Sequence, residues 1–407
     1  MRTILSLLLL PAIFISGCKR QPTSYTDEEI TRIHQSLYTI DSHTDTPLQL
    51  MQYGTDLSRR NQAGPGLGKI DIPRMDEGGL DGAFFAVFVG QGERTEAGNL
   101  KAREKALAVF DSVHAFINRN PGKTELALCA DDLRRISKEG RHAIYIGMEN
   151  GYPLDNDLTL ISEFYRLGAR YITLCHSSNN DICDSSTDEK GPEHNGLSEF
   201  GKKVVSEMNR LGLMIDVSHA SDKSFYDVLE ISKAPVIASH SCARALCSHN
   251  RNLSDDMLKA LAKNNGVIQV CLVGDYVKEM KGNSKHDSAQ AAVFQKHGDY
   301  FELDEAGQKA FLADWLAVDS IYPPVLAAVS DLVDHIDHIV QIAGIDHVGI
   351  GTDFDGGAEL KDCYDVTELK NITAELLRRG YSVSDIRKIW SGNLLRVMQE
   401  AEKIKST

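Results

Sequence analysis

Histidine and aspartate alternate in Asp41-Ser42-His43-Thr44-Asp45. In an extended chain, residues two apart point to the same side. His43 and Asp45 can therefore aim an imidazole nitrogen and a carboxylate oxygen at one point, and both atoms are donors for a divalent ion such as zinc. An H-x-D pair is common by chance, but further polar residues close apolar runs along the chain. Glu149 ends Ala143-Ile144-Tyr145-Ile146-Gly147-Met148 and His176 ends Tyr171-Ile172-Thr173-Leu174-Cys175. His219 follows Leu213 to Ser218, His240 follows Pro235 to Ser239, and Asp353 follows His347 to Thr352. A carboxylate at the end of an apolar run is expensive to bury unless it is paired or bound to metal. A hydrogen bond to a neighbouring loop would explain any one of these residues. It explains poorly why so many strands end the same way.

The elements that must bring these residues together are short runs rich in Val and Ile. The candidates are Tyr38–Ile40, Ala83–Val89, Ala143–Ile146, Tyr171–Leu174, Leu213–Val217, Val236–Ala238, Val267–Val273 and His347–Gly351. Such runs indicate parallel strands covered on both faces. Helical patterns lie between many of them, for example from about Ser198 to Leu211 and from about Leu326 to Ala343. Eight strands alternating with helices predict a (β/α)8 TIM barrel, in which the strand ends converge on one mouth. A doubly wound open sheet is the alternative, but no G-x-G-x-x-G follows the first strand. Residues 180–195 and 279–322 read as insertions, and long loops at the C-terminal strand ends build active-site walls.

In order and spacing, six motifs resemble the membrane (renal-type) dipeptidase family, a metallopeptidase branch of the amidohydrolase-like barrels. They are Asp41-Ser42-His43-Thr44-Asp45, Gly147-Met148-Glu149-Asn150-Gly151, Asp216-Val217-Ser218-His219, Ser239-His240-Ser241, His249-Asn250-Arg251-Asn252 and Gly351-Thr352-Asp353-Phe354-Asp355-Gly356. Gly196 to His219 and Gly392-Asn393-Leu394-Leu395-Arg396 are similar to that family as well. The resemblance implies two zinc ions per chain. His43 and Asp45 would hold one, His219 and His240 the other, and Glu149 would bridge them. Amidohydrolase relatives often bridge with a carboxylated lysine, but no candidate strand here ends in Lys. Metals about 3.5–4 Å apart can share a hydroxide formed from water whose pKa falls toward roughly 7. Asp353 would relay a proton to the leaving amine, with Asp355 the lesser candidate because it falls beyond the strand. His176 would donate to the developing oxyanion, and Arg251 would clamp the substrate's C-terminal carboxylate. Read without the resemblance, Arg251 is a surface ion pair.

The 407-residue chain is 42% apolar, enough for a sizeable core, and its formal net charge is -14. That charge argues against nucleic-acid binding, which needs clustered Lys and Arg. Arg2, the apolar run Ile4–Ile15 and Ser16-Gly17-Cys18 form a secretory-signal pattern. The run is too short for a bilayer core of ~30 Å, and Ile15-Ser16-Gly17-Cys18 resembles the bacterial lipobox. The expected layout is therefore a signal peptide over residues 1–17, lipid on Cys18, a tether over 18–24 and a single barrel over 25–407. A plain signal peptide or an N-terminal helix or strand is the alternative. The expected location is an exported lipoprotein, periplasmic or at the cell surface, held to the membrane by the lipid alone. Seven cysteines remain after Cys18, an odd number, so at least one is free or paired to another molecule. No CxxC occurs, which argues against a cysteine zinc site. His335 and His338 are expected on the solvated face of a helix, and His249 and His347 are expected to be structural.

These readings predict zinc-dependent hydrolysis of dipeptides by a metal-bridging hydroxide, with a homodimer suggested by the resemblance. A related amidohydrolase acting on another small amide, lactam or ester would share the metal centre. A lipid-anchored solute-binding protein would be the non-enzymatic alternative.

Overall fold

A computed structural model describes residues 25–62, 68–298, 303 and 305–405. The expected signal peptide, Cys18 and the tether lie outside the described residues. Nine strands form one sheet: β1 (Ile40–Thr44), β2 (Gly82–Phe88), β3 (Thr124–Leu126), β4 (His142–Glu149), β5 (Ala169–Thr173), β6 (Met214–Asp216), β7 (Ile237–Ser241), β8 (Val267–Val270) and β9 (Val348–Ile350). Eight of them run in the order β1-β2-β4-β5-β6-β7-β8-β9, and every named pairing is parallel. The ring is drawn together beyond β9, where Asp353 N–H donates to His43 O at 3.0 Å and Asp45 N–H donates to Phe354 O at 2.8 Å. The fold is a (β/α)8 TIM barrel.

Seven of the eight expected strands overlap the observed ones closely, and the first moves forward, from Tyr38–Ile40 to Ile40–Thr44. β3 was not expected. It has three residues, too few to show a period of two, and it pairs with the outer part of β4. β4 shows how the barrel turns its polar residues inward. Successive side chains alternate between faces. Ile144, Ile146 and Met148 join the large apolar cluster made with the helices. Tyr145 joins Phe84, Tyr171, Met214, Ile237 and Val267 in a smaller cluster. Glu149 shares the parity of Tyr145 and so emerges above that inner cluster.

The helices carry clear local signals. Helix Glu199–Leu211 starts where Ser198 Oγ accepts from Gly201 N–H, and stops at Gly212, whose φ of 75° is left-handed. It buries Val204, Val205, Met208 and Leu211 against the barrel. Each such side chain contributes roughly 1.5–3 kcal/mol when fully buried, so Val204→Asp would break this packing. Helix Val329–Ala343 begins three residues later than Leu326, where Ala328 N–H meets the Asp331 carboxylate at 2.9 Å. The insertion after β8 folds into helices Ser284–His297 and Glu305–Ile321, packed through Phe294, Phe311 and Trp315. The 180–195 segment is a loop held from within. The Asp184 carboxylate accepts the N–H groups of Glu193, His194 and Gly196 at 2.8 to 2.9 Å.

His335 is not on a solvated face. It is 1% exposed, Nδ1 accepts from Ala243 N–H at 3.0 Å, and Nε2 faces Val277 O at 2.7 Å. His338 is partly buried against Asp255. All seven described cysteines are free thiols, although the Cys242 and Cys271 sulfurs come within 3.8 Å.

Candidate metal centre

Residues separated by more than three hundred positions meet at the C-terminal ends of the strands. Glu149, the last residue of β4, lies at the centre. Its Oε2 is 3.5 Å from His43 Nε2. Its Oε1 is 3.1 Å from His219 Nε2, 3.6 Å from His240 Nε2 and 3.7 Å from His176 Nε2. Ligand atoms of His43, Asp45 and Asp353 form another group, all within 4.8 Å of one another. His43, Asp45, Glu149, His219, His240 and Asp353 are all buried. His176 sits at the mouth, with 27% of its side chain exposed. The structure thus brings together every ligand candidate drawn from the sequence.

Two backbone departures aim the side chains. His219 lies past the end of β6 with φ 69°, and Asp353 lies past β9 with φ 64°. Left-handed backbone is unfavourable for a non-glycine residue and persists where the surroundings enforce it. Gly356 keeps the space between two carboxylates open. A Cβ there would stand 2.2 Å from both Asp45 Oδ2 and Asp353 Oδ1.

Behind the ligands, a second layer of groups sets their proton positions, and the sequence showed none of it. The buried Asp216 carboxylate accepts from Ser239 Oγ at 2.6 Å and from Thr173 Oγ1 at 2.5 Å. Ser239 Oγ, its proton given to Asp216, is left to accept from His240 Nδ1 at 2.8 Å. That order puts the His240 proton on Nδ1 and the lone pair on Nε2, facing Glu149. His43 Nδ1 likewise meets Tyr171 Oη at 2.8 Å. The Tyr171 ring needs Gly147 opposite it, because a Cβ on residue 147 would lie 2.0 Å from the ring. Asp41 holds the β1 and β9 ends together, accepting from Thr352 N–H, Thr352 Oγ1 and His43 N–H. Asp355, the lesser candidate, accepts from Thr46 Oγ1 and Lys69 N–H at 2.7 Å each and serves the loop.

The electrostatics suit a cation. Burial pushes His219 and His240 well below the usual histidine range, and Arg251 adds to this, so both rings are neutral and free to ligate. Burial opposes ionisation of Glu149, but His43 and His219 outweigh it and keep the carboxylate charged. Burial pushes Asp45 up, and the neighbouring Glu149 adds to it. Burial alone would depress His43, yet Glu149, Asp45 and Asp353 raise it to about 10. In this crowd of carboxylates His43 holds a proton where a metal could sit. His43 Nε2 and Asp45 Oδ1 are buried without a hydrogen-bond partner, and a metal would satisfy both atoms. The residues therefore fit a divalent cation, with Glu149 Oε2 turned toward His43 and Oε1 toward His219 and His240.

A cavity of about 360 Å³ opens above the cluster, lined by Ser177, Thr187, His249, Arg251 and Tyr276 in addition to the acids and histidines. Arg251 is 4% exposed and forms no salt bridge among the described residues. Its Nη2 donates to His240 O at 3.0 Å, and its Nε has no partner. It is not the surface ion pair that the sequence also allowed. Ser177 Oγ lies 3.0 Å from His176 Nδ1, and the Phe88 ring packs 4.7 Å from the His176 ring.

Residues 27–407 match the family model described as membrane dipeptidase, peptidase family M19. The chain belongs to the membrane dipeptidase family. Members it is similar to include dipeptidase tcpJ of Claviceps purpurea (strain 20.1), 32% identical over 345 residues, which span 84% of this chain and 71% of that protein. The crystal structure of the probable dipeptidase PvdM from Pseudomonas aeruginosa is 31% identical with a TM-score of 0.78, covering 93% of this chain and 98% of that one. The structure of dipeptidase AC, a metallopeptidase of family M19, is 25% identical with a TM-score of 0.71, covering 90% and 99%. Membrane dipeptidases are hydrolases of the metallopeptidase class, in keeping with the donor set around Glu149. His249, expected to be structural, lines the cavity, and so does Tyr276, whose place there no sequence pattern marked.

Proposed function

We propose that this protein hydrolyses the peptide bond of dipeptides with two zinc ions. One would be held by His43, Asp45 and Glu149, the other by Glu149, His219 and His240. The observation that carries this reading is the division of Glu149, with Oε2 toward His43 and Oε1 toward His219 and His240. When bound, the cations would acidify a water so that hydroxide is available near neutral pH.

The remaining groups define what is cut and how protons move. Arg251, buried without a carboxylate partner, receives the substrate's C-terminal carboxylate. His176 at the mouth donates to the carbonyl oxygen as charge develops there. Asp353 is pushed up to about 7 by burial, with His43 opposing and Glu149 reinforcing the shift. A carboxyl in that range takes a proton from water and gives it to the leaving amine. A cavity of about 360 Å³ suits a small substrate rather than a long chain.

Metal analysis of the purified protein, together with a panel of L-L and L-D dipeptides and their N-acetylated and C-amidated forms, tests the proposal. Close to two equivalents of zinc, loss of turnover on chelation and recovery on reloading are expected. C-terminal amidation should raise KM sharply. Turnover that survives metal stripping overturns the reading, and indifference to end-blocking moves the substrate to another small amide. We also propose that Cys18 carries the membrane-tethering lipid. Labelled fatty acid incorporated by the full chain and lost in Cys18→Ala is the expected result.

A further inference from the structure

His249 and Arg251 stand on one tight turn, where Asn252 N–H donates to His249 O at 3.0 Å. Both side chains line the cavity above the metal centre. The His249 ring lies over Tyr276 with centroids 4.5 Å apart, and the Arg251 guanidinium carbon is 5.4 Å from the centre of the same Tyr276 ring. One tyrosine ring therefore packs against two nitrogen-bearing groups. His249 Nδ1 accepts the backbone N–H of Arg251 at 3.1 Å. An imidazole nitrogen that accepts a hydrogen bond carries no proton, so the proton of the neutral ring is on Nε2. Burial and the neighbouring Arg251 favour that neutral form. His249 is thus a donor at Nε2, and no protein acceptor faces that atom among the described residues.

A carboxylate has about four lone-pair directions and accepts from a guanidinium with capacity left over. Arg251 is partly committed already, through Nη2 to His240 O and a long 3.4 Å contact from Nη1 to Ser241 Oγ. From this geometry we infer that His249 is a second reader of the substrate's C-terminal carboxylate. Nε2–H donates to the carboxylate while Nδ1 holds the Arg251 backbone in place. The inference rests on the dipeptidase reading above, and it makes His249 a specificity residue for substrates with a free C-terminus.

The two ring nitrogens can be replaced separately. In His249→Asn the amide oxygen takes over the Nδ1 acceptor but nothing reaches the Nε2 position. In His249→Gln the amide nitrogen stands near the Nε2 position but the Nδ1 acceptor is lost. Zinc-loaded wild type, both variants and His249→Ala are compared on one dipeptide and its C-terminal amide. For the free dipeptide, KM of His249→Asn should rise roughly tenfold or more, as for a lost hydrogen bond to a charged acceptor. Its kcat should change little, and preference for the carboxylate over the amide should fall by the same factor. His249→Gln should recover most of that preference. The inference is overturned if His249→Asn matches wild type while His249→Gln matches His249→Ala, because the ring would then serve only the Arg251 backbone. Failure of the dipeptidase reading looks different: wild type itself would not distinguish acid from amide, which overturns both.

Discussion

The Nε2 atoms of His219 and His240 face each other across 2.9 Å, with Glu149 Oε1 against both. That gap holds at most one proton, and charging both buried rings would set like charges side by side. A divalent cation would resolve the contact by taking both lone pairs. Zinc added to the metal-free protein should therefore stabilise it by about 4 kcal/mol when free zinc is a thousandfold above Kd. Urea unfolding with and without zinc measures this. His240→Ala should lower the bound zinc from two equivalents toward one.

The groups behind the ligands should matter nearly as much as the ligands. Ser239→Ala removes the oxygen that takes the His240 proton, and Tyr171→Phe removes the partner of His43 Nδ1. Each is expected to weaken metal binding by roughly 10–100-fold, the usual effect of losing such a support. Competition against a chelator of known affinity reads the change site by site.

Gly356→Ala separates folding from site geometry. The three atoms nearest the new methyl group would all belong to the Asp45 and Asp353 carboxylates. The melting temperature of the metal-free protein should stay within a few degrees of wild type, while zinc binding at the His43 and Asp45 position and turnover both fall at least tenfold. A Gly356→Ala protein with normal zinc content would contradict this placement of the two acids.

Two buried histidines should each withdraw stability as the pH drops below the ordinary histidine range, against the opposite slope of Asp353, which burial raises to about 7. Burial pushes His34 and His335 below the ordinary histidine value of 6.5. Below that value the unfolded chain binds protons that the folded chain does not, so the unfolded state is favoured. Each ring adds up to about 1.4 kcal/mol per pH unit to the slope, lost between the unfolded value and its lower folded one. The stability contribution is fully present above 6.5. The difference between wild type and His335→Gln in urea titrations from pH 8 to 5, both metal-free, isolates the contribution. His335→Gln should flatten the slope and destabilise at pH 8 by roughly 1–3 kcal/mol, since Ala243 N–H loses its acceptor.

Much of the barrel was legible in the chain. Buried parallel strands must be apolar along their length, so a Glu, His or Asp closing such a run stands out, and the barrel then carries those ends to one mouth. Some of what was missed did leave a trace. His335 lies three residues after Leu332 and four before Ile339, both buried, which already places it on the packed stripe of its helix. β3 left none, because three residues without alternation look like any loop.

Residue type and strand position, both local properties, determined which side chains could bind metal and the fold that gathers them. The roles of Tyr171, Ser239, Asp216 and His249 were decided only in three dimensions. Tyr171 reads as core in its strand, and its hydroxyl gains a purpose only beside His43, a residue 128 positions earlier. Hydrogen bonds depend on distance and direction to within fractions of an ångström, and the linear order of residues carries no such information until the chain has closed on itself.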